Sequence, residues 1–142
     1  MALKAKTANK PVIDENGYVV GTIKNVLEIE ERVDNSDKKN KYSAQFEFIV
    51  IGEGSVKPIT YRFWTGQILN SEKFGDSQDY NRLTRLSLQL GLIQESDLDN
   101  LEKIDMPDFE ELEGLKIKFK LEKSQKSQGL SVISIPSIES VK

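Results

Sequence analysis

The sequence of 142 residues contains no cysteine and no histidine. Without cysteine there is no disulfide framework and no thiolate metal site. Without histidine there is no imidazole for acid–base catalysis, for a Ser-His-Asp or Cys-His nucleophile, or for a zinc site. Carboxylates alone could hold Mg²⁺, but they form no compact group at strand ends, and no phosphate-binding glycine loop is present. We therefore expect a protein that is not an enzyme and has no metal or cofactor.

Long apolar runs are also missing. No segment approaches the roughly 18 apolar residues of a membrane span. The lysine-bearing residues 1–10 are not followed by the apolar block of a secretory signal. We expect a cytoplasmic protein with no membrane partner. The content of 37% hydrophobic and 30% charged residues is ordinary for one globular domain with one core.

Most of the remaining pattern predicts β-strands. Residues 1–16 lack periodicity and are interpreted as a flexible arm. Three β-rich stretches follow, at 17–31, 42–51 and 59–65. Gly21 lies inside the first and longest of them, where it predicts a bulge or a sharp bend.

The hydrophobic period changes after the third strand. A stripe of leucines predicts a helix capped by Asp79 and ended by Gly91. Shorter helical turns are expected at 97–103 and 107–113. The sequence therefore predicts a helical insert before the chain returns to strands.

Two further strands are predicted at 115–123 and 130–138. Three strands, a helical insert and two strands is the order of the OB-fold, a five-stranded, partly open barrel. We predict a mainly β fold, a five-stranded OB-fold barrel with a helical insert between strands 3 and 4. It forms one domain over 17–142, with an acidic helical connector at 79–113. A β-sandwich is the alternative, but it would not need the insert.

The hairpin of strands two and three has an expected register. A turn near Gly54 allows Phe46 to pair with Phe63, and Phe48 with Tyr61. These aromatic side chains then face the core. A slip by one residue would expose all of them, so this choice of faces is favoured.

The outer face of the same hairpin is the candidate binding surface. The expected register sets Arg62 opposite Glu47, and Trp64 opposite Gln45. Trp64, the only tryptophan, could stack on a base while Arg62 and Gln45 line the groove. The structural alternative is that Trp64 packs under residues 66–78 and Arg62 pairs with Glu47 across the strands.

The charge distribution favours a polyanionic partner although the net charge is −3. Residues 94–113 contain nine acidic residues against one lysine, so the rest of the chain is net positive. A locally positive groove, rather than the net charge, attracts a phosphate backbone. The basic residues expected at the two rims of the groove are Arg32, Lys38, Lys39 and Lys41 in the first loop and Lys123 and Lys126 around the last loop. Simple solvation of these lysines is the alternative.

Two further features have open interpretations. Tyr42, at the exit of the first loop, could stack a base or belong to the core rim. Lys116, Lys118 and Lys120 share the outward face of the fourth strand. They are either a solvated face that discourages edge pairing or an extension of the basic track.

The layout resembles the OB-fold single-stranded DNA-binding proteins of bacteriophages and related mobile elements over residues 17–139. The stretches that carry the resemblance are GYVVGTIKNV, YSAQFEFIV, NRLTRLSLQLGL, LEGLKIKFKLEK and SVISIPSIESV. It implies non-catalytic binding of single-stranded DNA without sequence preference, during replication or recombination in a bacterial host cell. RNA is left open as a ligand, and association into homo-oligomers is compatible with the resemblance.

Partner proteins have one expected docking place. Bacterial housekeeping relatives carry a Gly/Pro/Gln-rich tail with an acidic tip, which this sequence lacks after its last strand. Replication or recombination proteins would then dock on the acidic segment 94–113. The alternatives are that this segment is only a soluble cap on the barrel, or that it mimics nucleic acid and repels the strand from the wrong side. The alternative function is an OB-fold protein–protein interaction or assembly module in which Trp64 anchors the interface.

Overall fold

The protein is mainly β, with 39% of its residues in strands and 21% in helices. Its computed structural model describes residues 3, 5, 8–30, 32–33, 41–42, 44–76, 78–123 and 131–141, and only the backbone of 32–33 and 41–42. The strands are β1 (Val19–Ile29), β2 (Arg32–Val33), β3 (Lys41–Tyr42), β4 (Gln45–Gly52), β5 (Ile59–Gly66), β6 (Lys73–Phe74), β7 (Asp79–Tyr80), β8 (Lys116–Phe119), β9 (Leu121–Lys123), β10 (Ser131–Ile133) and β11 (Glu139–Ser140).

Five of these strands form one antiparallel sheet in the order β11-β8-β1-β4-β5. Three short ladders accompany it, namely β2–β3, β6–β7 and β9–β10. Strand β10 approaches β5 to within 8 Å between Cα atoms. No closed barrel forms within the described part of the chain. The mainly β class and the helical insert between the third and fourth main strands are confirmed.

The insert contains one α-helix, α1 (Arg82–Gln89). The prediction that Asp79 caps it was wrong, because Asn81 is the N-cap and its side chain accepts a hydrogen bond from the Thr84 N–H at 2.8 Å. The Asp79 carboxylate is instead bound by Arg85. Gly91 follows the helix with a φ of +72°, a conformation that suits glycine, so the predicted end is confirmed.

Three 3-10 helices complete the helical content of the described residues. They are Glu95–Lys103, Phe109–Leu112 and Ile135–Ser137. The first two occupy the region of the predicted helical turns. Within the described residues, no helix is long and apolar enough to cross a membrane.

Strand β1 is irregular at a different place from the one predicted. The pairing with β4 shifts between Ile23 and Asn25, whereas Gly21 lies in the regular part of the ladder. Gly21 is needed for close approach, since a Cβ there would lie 2.9 Å from the Ile51 carbonyl oxygen. A glycine within a strand is compatible with a bulge or with the close approach of a neighbouring backbone, and the sequence did not distinguish the two.

The predicted β4–β5 register was wrong by two residues. Phe48 pairs with Phe63, and Val50 pairs with Tyr61. The expected register would have put Pro58 inside the ladder, where its missing N–H cannot bond. A slip of two residues keeps every side chain on its face, so the buried and exposed sets were predicted correctly.

The last two predicted strands are each interrupted. Lys120 separates β8 from β9 because its N–H donates to the Ser137 Oγ and its carbonyl accepts from the Ser134 N–H. The stretch 130–138 contains only the short β10 before the 3-10 helix that includes Pro136. The perfect alternation of the sequence does not reveal this change of hydrogen-bond partner.

The core lies between the inner face of the sheet and the helical insert. Phe48 and Phe63 stack at its centre, with ring centroids 4.7 Å apart. Helix α1 closes one side and is tied to the C-terminal 3-10 helix by the Gln89 amide, which donates to the Pro136 and Ile138 carbonyls. The fully buried large side chains include Ile23, Phe48, Leu83, Leu86, Ile117, Phe119 and Ile138.

Candidate functional site

The candidate site is the solvent-facing side of β1, β4 and β5, which we call the outer face. Directly opposed residues of antiparallel strands share a face, so the side chains form rows across the sheet. Read from β1 through β4 to β5, the rows are Thr22–Ile51–Thr60, Asn25–Ile49–Arg62, Leu27–Glu47–Trp64 and Ile29–Gln45–Gly66. The outer face is therefore a mixed surface of apolar, amide and charged side chains.

Trp64 is the largest side chain of the outer face and is 39% exposed. Its row continues through Glu47 to Leu27, which is 44% exposed and lies two strands away, at about 10 Å. The guanidinium of Arg82, in the first turn of α1, donates to the Trp64 carbonyl at 3.4 Å. The indole ring thus keeps an accessible surface and has a second cation near its strand.

Arg62 and Glu47 form an ion pair with Nε and Oε1 3.3 Å apart. They are diagonal neighbours, because Arg62 faces Ile49 and Glu47 faces Trp64. The Arg62 side chain is 56% exposed and that of Glu47 is 18% exposed. This contact is the one that the structural interpretation of Arg62 predicted. The exposure leaves part of the guanidinium accessible to a ligand.

Gln45 lies opposite Gly66 rather than opposite Trp64, one row away from its predicted position. Its side chain is exposed on the same face as Trp64. Its carbonyl accepts a hydrogen bond of 2.9 Å from the Gln67 amide, which also donates to the Ile29 carbonyl. Gln67 therefore ties the ends of β1 and β4 together beside the site.

The basic rims are described only in part. Arg32, Lys41 and Tyr42 belong to the β2–β3 ladder, which pairs Arg32 with Tyr42, but their side chains are outside the described residues. Lys123 is exposed in β9 and pairs with Ser131. The remaining predicted phosphate contacts lie outside the described residues, namely Lys38, Lys39 and Lys126.

The predicted lysine row, Lys116, Lys118 and Lys120, has two different environments. Lys118 forms an ion pair with Glu139 at 3.4 Å, and the ammonium groups of Lys118 and Lys120 lie 4.9 and 5.0 Å from the Tyr18 ring centre. Lys116 pairs with Thr22 and so extends the first row of the outer face. It also lines a shallow cavity of about 130 Å³ beside Ile51.

Sequence reasoning missed several residues of this surface. Leu27 and Asn25 reach the outer face only because β1 changes phase at its irregularity. Outside the outer face, sequence reasoning also missed Phe74, which is exposed beside the tip of the β6–β7 hairpin, where Gly75 has a φ of +72°. The aromatic residues around the turn residues of KFGDSQDY were the available signal for this hairpin.

Two titratable groups near the site have shifted pKa values. The Arg85 guanidinium, which hydrogen-bonds to Asp79, holds the pKa of that carboxyl below its usual range. Burial raises the pKa of the Tyr61 hydroxyl above its ordinary value of 10.0. Neither group belongs to the outer face, since Tyr61 faces the core and Asp79 is in β7.

The arrangement can stack a planar group on an indole ring and attract an anion through neighbouring guanidinium and ammonium groups. Searches against protein-family models, curated proteins and solved structures found no match to this chain. The functional inference therefore rests on the chemistry of the outer face.

Proposed function

We propose that the protein binds single-stranded DNA on its outer face, without catalysis and largely without sequence preference. The observation that carries the proposal is the exposed indole of Trp64 beside the exposed guanidinium of Arg62 on one sheet face. An aromatic platform next to cations is how proteins hold unpaired bases and their phosphates. The setting would be replication or recombination of a bacteriophage or mobile element, and RNA is an alternative ligand.

The energetic basis is stacking supplemented by charge. Stacking of a base on an aromatic ring stabilises a complex by about 1–3 kcal/mol. Trp64 has accessible ring surface for one base, and exposed Leu27 offers apolar contact for a neighbouring base or sugar. Arg62 and Lys116 would supply attraction to the phosphates from this side of the sheet, and Arg82 would add positive charge beside β5.

The proposed fold is the OB-fold barrel. Strand β1 pairs with β4 on one side and with β8 on the other, as the long, shared first strand of such a barrel does. The approach of β10 to β5 is the contact across which the barrel would close. The outer face of the second and third barrel strands is the usual oligonucleotide site of this fold.

A protein–protein interaction module is the second candidate function. Its support is the apolar content of the same surface, where Ile49 and Ile51 run beside exposed Leu27 and Trp64. Aromatic and arginine side chains together are also typical of protein interface hot spots. Such an interface would depend little on salt, in contrast to one with DNA.

Tryptophan fluorescence during titration with a dT oligonucleotide tests the proposal. Trp64 is the only tryptophan, so any quenching reports on the outer face. We expect strong quenching whose affinity falls with salt at a logarithmic slope of about −0.7 per phosphate neutralised. Trp64→Ala should weaken binding in a gel-shift assay by roughly fivefold to a hundredfold.

Ile68→Ala is the matched control, since Ile68 is also an exposed large side chain but lies beyond β5. It should leave affinity nearly unchanged. Absence of both quenching and a gel shift would refute DNA binding and favour the protein-interaction alternative. A gel shift without quenching would keep the function and reject Trp64 as the platform.

A further inference from the structure

A second concave site lies on the side of the sheet opposite the outer face, at one end of β4. Its volume is about 310 Å³. We call it the acidic pocket, and it is lined by Val26, Glu28, Phe46, Pro107, Asp108, Phe109 and Glu110. The lining combines apolar side chains with three carboxylates, a combination that suits a ligand with an apolar group and positive charges.

The apolar side chains of the pocket are well supported. The rings of Phe46 and Phe109 lie 5.4 Å apart, and Phe109 is itself held in the core cluster. The carboxylate of Glu113 accepts a hydrogen bond of 2.9 Å from the Val26 N–H and so serves the fold. The pocket walls therefore come from packed elements rather than from loose side chains.

Two of the pocket carboxylates are available for an incoming cation. Asp108 caps the 3-10 helix by accepting from the Glu110 N–H at 3.0 Å. Glu28 and Glu110 are exposed, and within the described residues neither takes part in a salt bridge. A cationic ligand would neutralise them without breaking a contact of the described structure.

A segment of matching chemistry begins this chain. Residues 1–10, MALKAKTANK, contain three lysines and no acidic residue, and Leu3 is 97% exposed. The end of this segment is held on the β4–β5 turn. The Asn9 side chain donates to the Lys57 carbonyl at 2.9 Å and accepts from the Val56 and Lys57 N–H groups.

The segment and the pocket lie at opposite ends of β4. Phe46 is near the first residue of the strand, whereas the turn that holds Asn9 follows its last residue. Extended chain from Phe46 to Glu53 spans about 23 Å. From Asn9 to Leu3 the chain can reach at most about 22 Å. Leu3 therefore reaches the pocket of its own chain only when this segment is fully extended, whereas the pocket of a neighbouring copy imposes no such condition.

We propose that residues 1–8 of one copy bind the acidic pocket of a second copy, with Leu3 against Phe46 and lysines beside Glu28 and Glu110. The contact is head-to-tail, because each copy offers its segment at one end and its pocket at the other. Repetition of a head-to-tail contact that does not close makes an open chain of subunits. Such a chain would allow neighbouring copies to assemble cooperatively. The proposal does not require that the outer face bind DNA.

Titration of a synthetic peptide of residues 1–8 tests the contact directly. The host is the ¹⁵N-labelled 142-residue chain with Leu3→Asp, so that its own segment does not compete. We expect amide shifts centred on Val26, Phe46 and Phe109. Glu110→Lys in the host, or Leu3→Asp in the peptide, should weaken binding by roughly tenfold. Shifts elsewhere, or none, would overturn the proposal.

Sedimentation velocity of the 142-residue chain without DNA tests the assembly. We expect concentration-dependent association that both Leu3→Asp and Glu110→Lys reduce. Glu102→Lys is the control, since Glu102 is exposed in the same acidic connector but lies outside the pocket lining. A monomer at all concentrations, or equal loss in the control, would overturn the proposal.

A charge exchange separates the contact from unfolding. Lys4→Glu with Lys6→Glu should abolish association, and adding Glu28→Lys with Glu110→Lys in the same chain should restore it. Failure of restoration in folded protein would contradict the proposed pairing. Affinity for a dT oligonucleotide that accommodates one copy, measured on dilute protein, reports on the outer face alone. The two proposals can therefore fail independently.

Discussion

Glu47 is the acidic residue in the middle of the face that we propose binds a polyanion. Removal of its negative charge should therefore change the affinity for DNA. Its Oε1 lies 3.3 Å from the Nε of Arg62. Glu47→Gln keeps the size of the side chain and removes the charge. A phosphate that approaches Arg62 then no longer competes with a carboxylate, so binding of single-stranded DNA should strengthen.

The expected gain follows from the geometry of the pair. Because the Arg62 side chain is 56% exposed, water screens the pair strongly. At this separation, two unit charges in a medium like water attract each other by about 1 kcal/mol. Release of Arg62 from that attraction corresponds to roughly fivefold tighter binding. The logarithmic salt slope should steepen by up to about 0.7, the contribution of one additional phosphate.

Fluorescence titration with a dT oligonucleotide at several salt concentrations measures both quantities. Glu102→Gln makes the same change in net charge on an exposed residue of the acidic connector. It should change affinity much less, because Glu102 belongs to the helical insert and not to the strands that form the outer face. An equal gain in DNA affinity in the two variants would mean that the change in net charge alone causes the effect. Unchanged or weaker binding in Glu47→Gln would refute a phosphate contact at Arg62.

Two predictions concern the core behind this face. In Gly52→Ala, the new Cβ would lie 2.6 Å from Cε2 of the Tyr61 ring. We expect a loss of about 1–3 kcal/mol in the free energy of unfolding by urea. We expect almost none in Gly66→Ala, where no atom of the described residues lies within 4 Å of the new Cβ. Equal effects would contradict close packing at Gly52. The Tyr61 hydroxyl is buried without a described hydrogen-bond partner, so Tyr61→Phe should be neutral or stabilising near pH 7. Burial raises the pKa of Tyr61 in the folded state above its unfolded value of 10.0. The protonated hydroxyl therefore contributes fully to the free energy of unfolding below pH 10.0, and this contribution is lost as the pH rises further. In urea unfolding, the stability of Tyr61→Phe relative to the unchanged protein should therefore be greater at about pH 11 than at neutral pH. The same relative stability at both pH values would contradict the raised pKa of Tyr61.

The faces of the β4–β5 hairpin could be predicted from the sequence, whereas its register could not. Alternation assigned Tyr61 and Phe63 to the core and Trp64 to the surface, because a strand has a period of two residues. The register depends on where the turn ends. The missing N–H of Pro58 was the local signal against the expected pairing, and hydrophobic alternation is blind to a slip of two residues.

For the candidate site, too, the sequence predicted which side chains share a face but not which of them are neighbours. Trp64, Arg62 and Gln45 share the outer face as expected, but their neighbours differ because the register differs. Leu27 and Lys116 come from strands whose contribution depends on long-range pairing with β4 and with β1. Such pairing is a tertiary property, and a single sequence offers little local signal for it.

The two proposed contacts use opposite electrostatics, which keeps them apart on the molecule. The acidic pocket would repel a phosphate backbone, so DNA on the outer face and a lysine-bearing segment in the pocket do not compete for one surface. Salt should weaken both contacts, because each joins opposite charges. Salt dependence alone therefore cannot assign an effect to either contact. A measurement on dilute protein can separate them. Binding of one copy to a short oligonucleotide does not require a neighbouring copy, whereas filling the acidic pocket does.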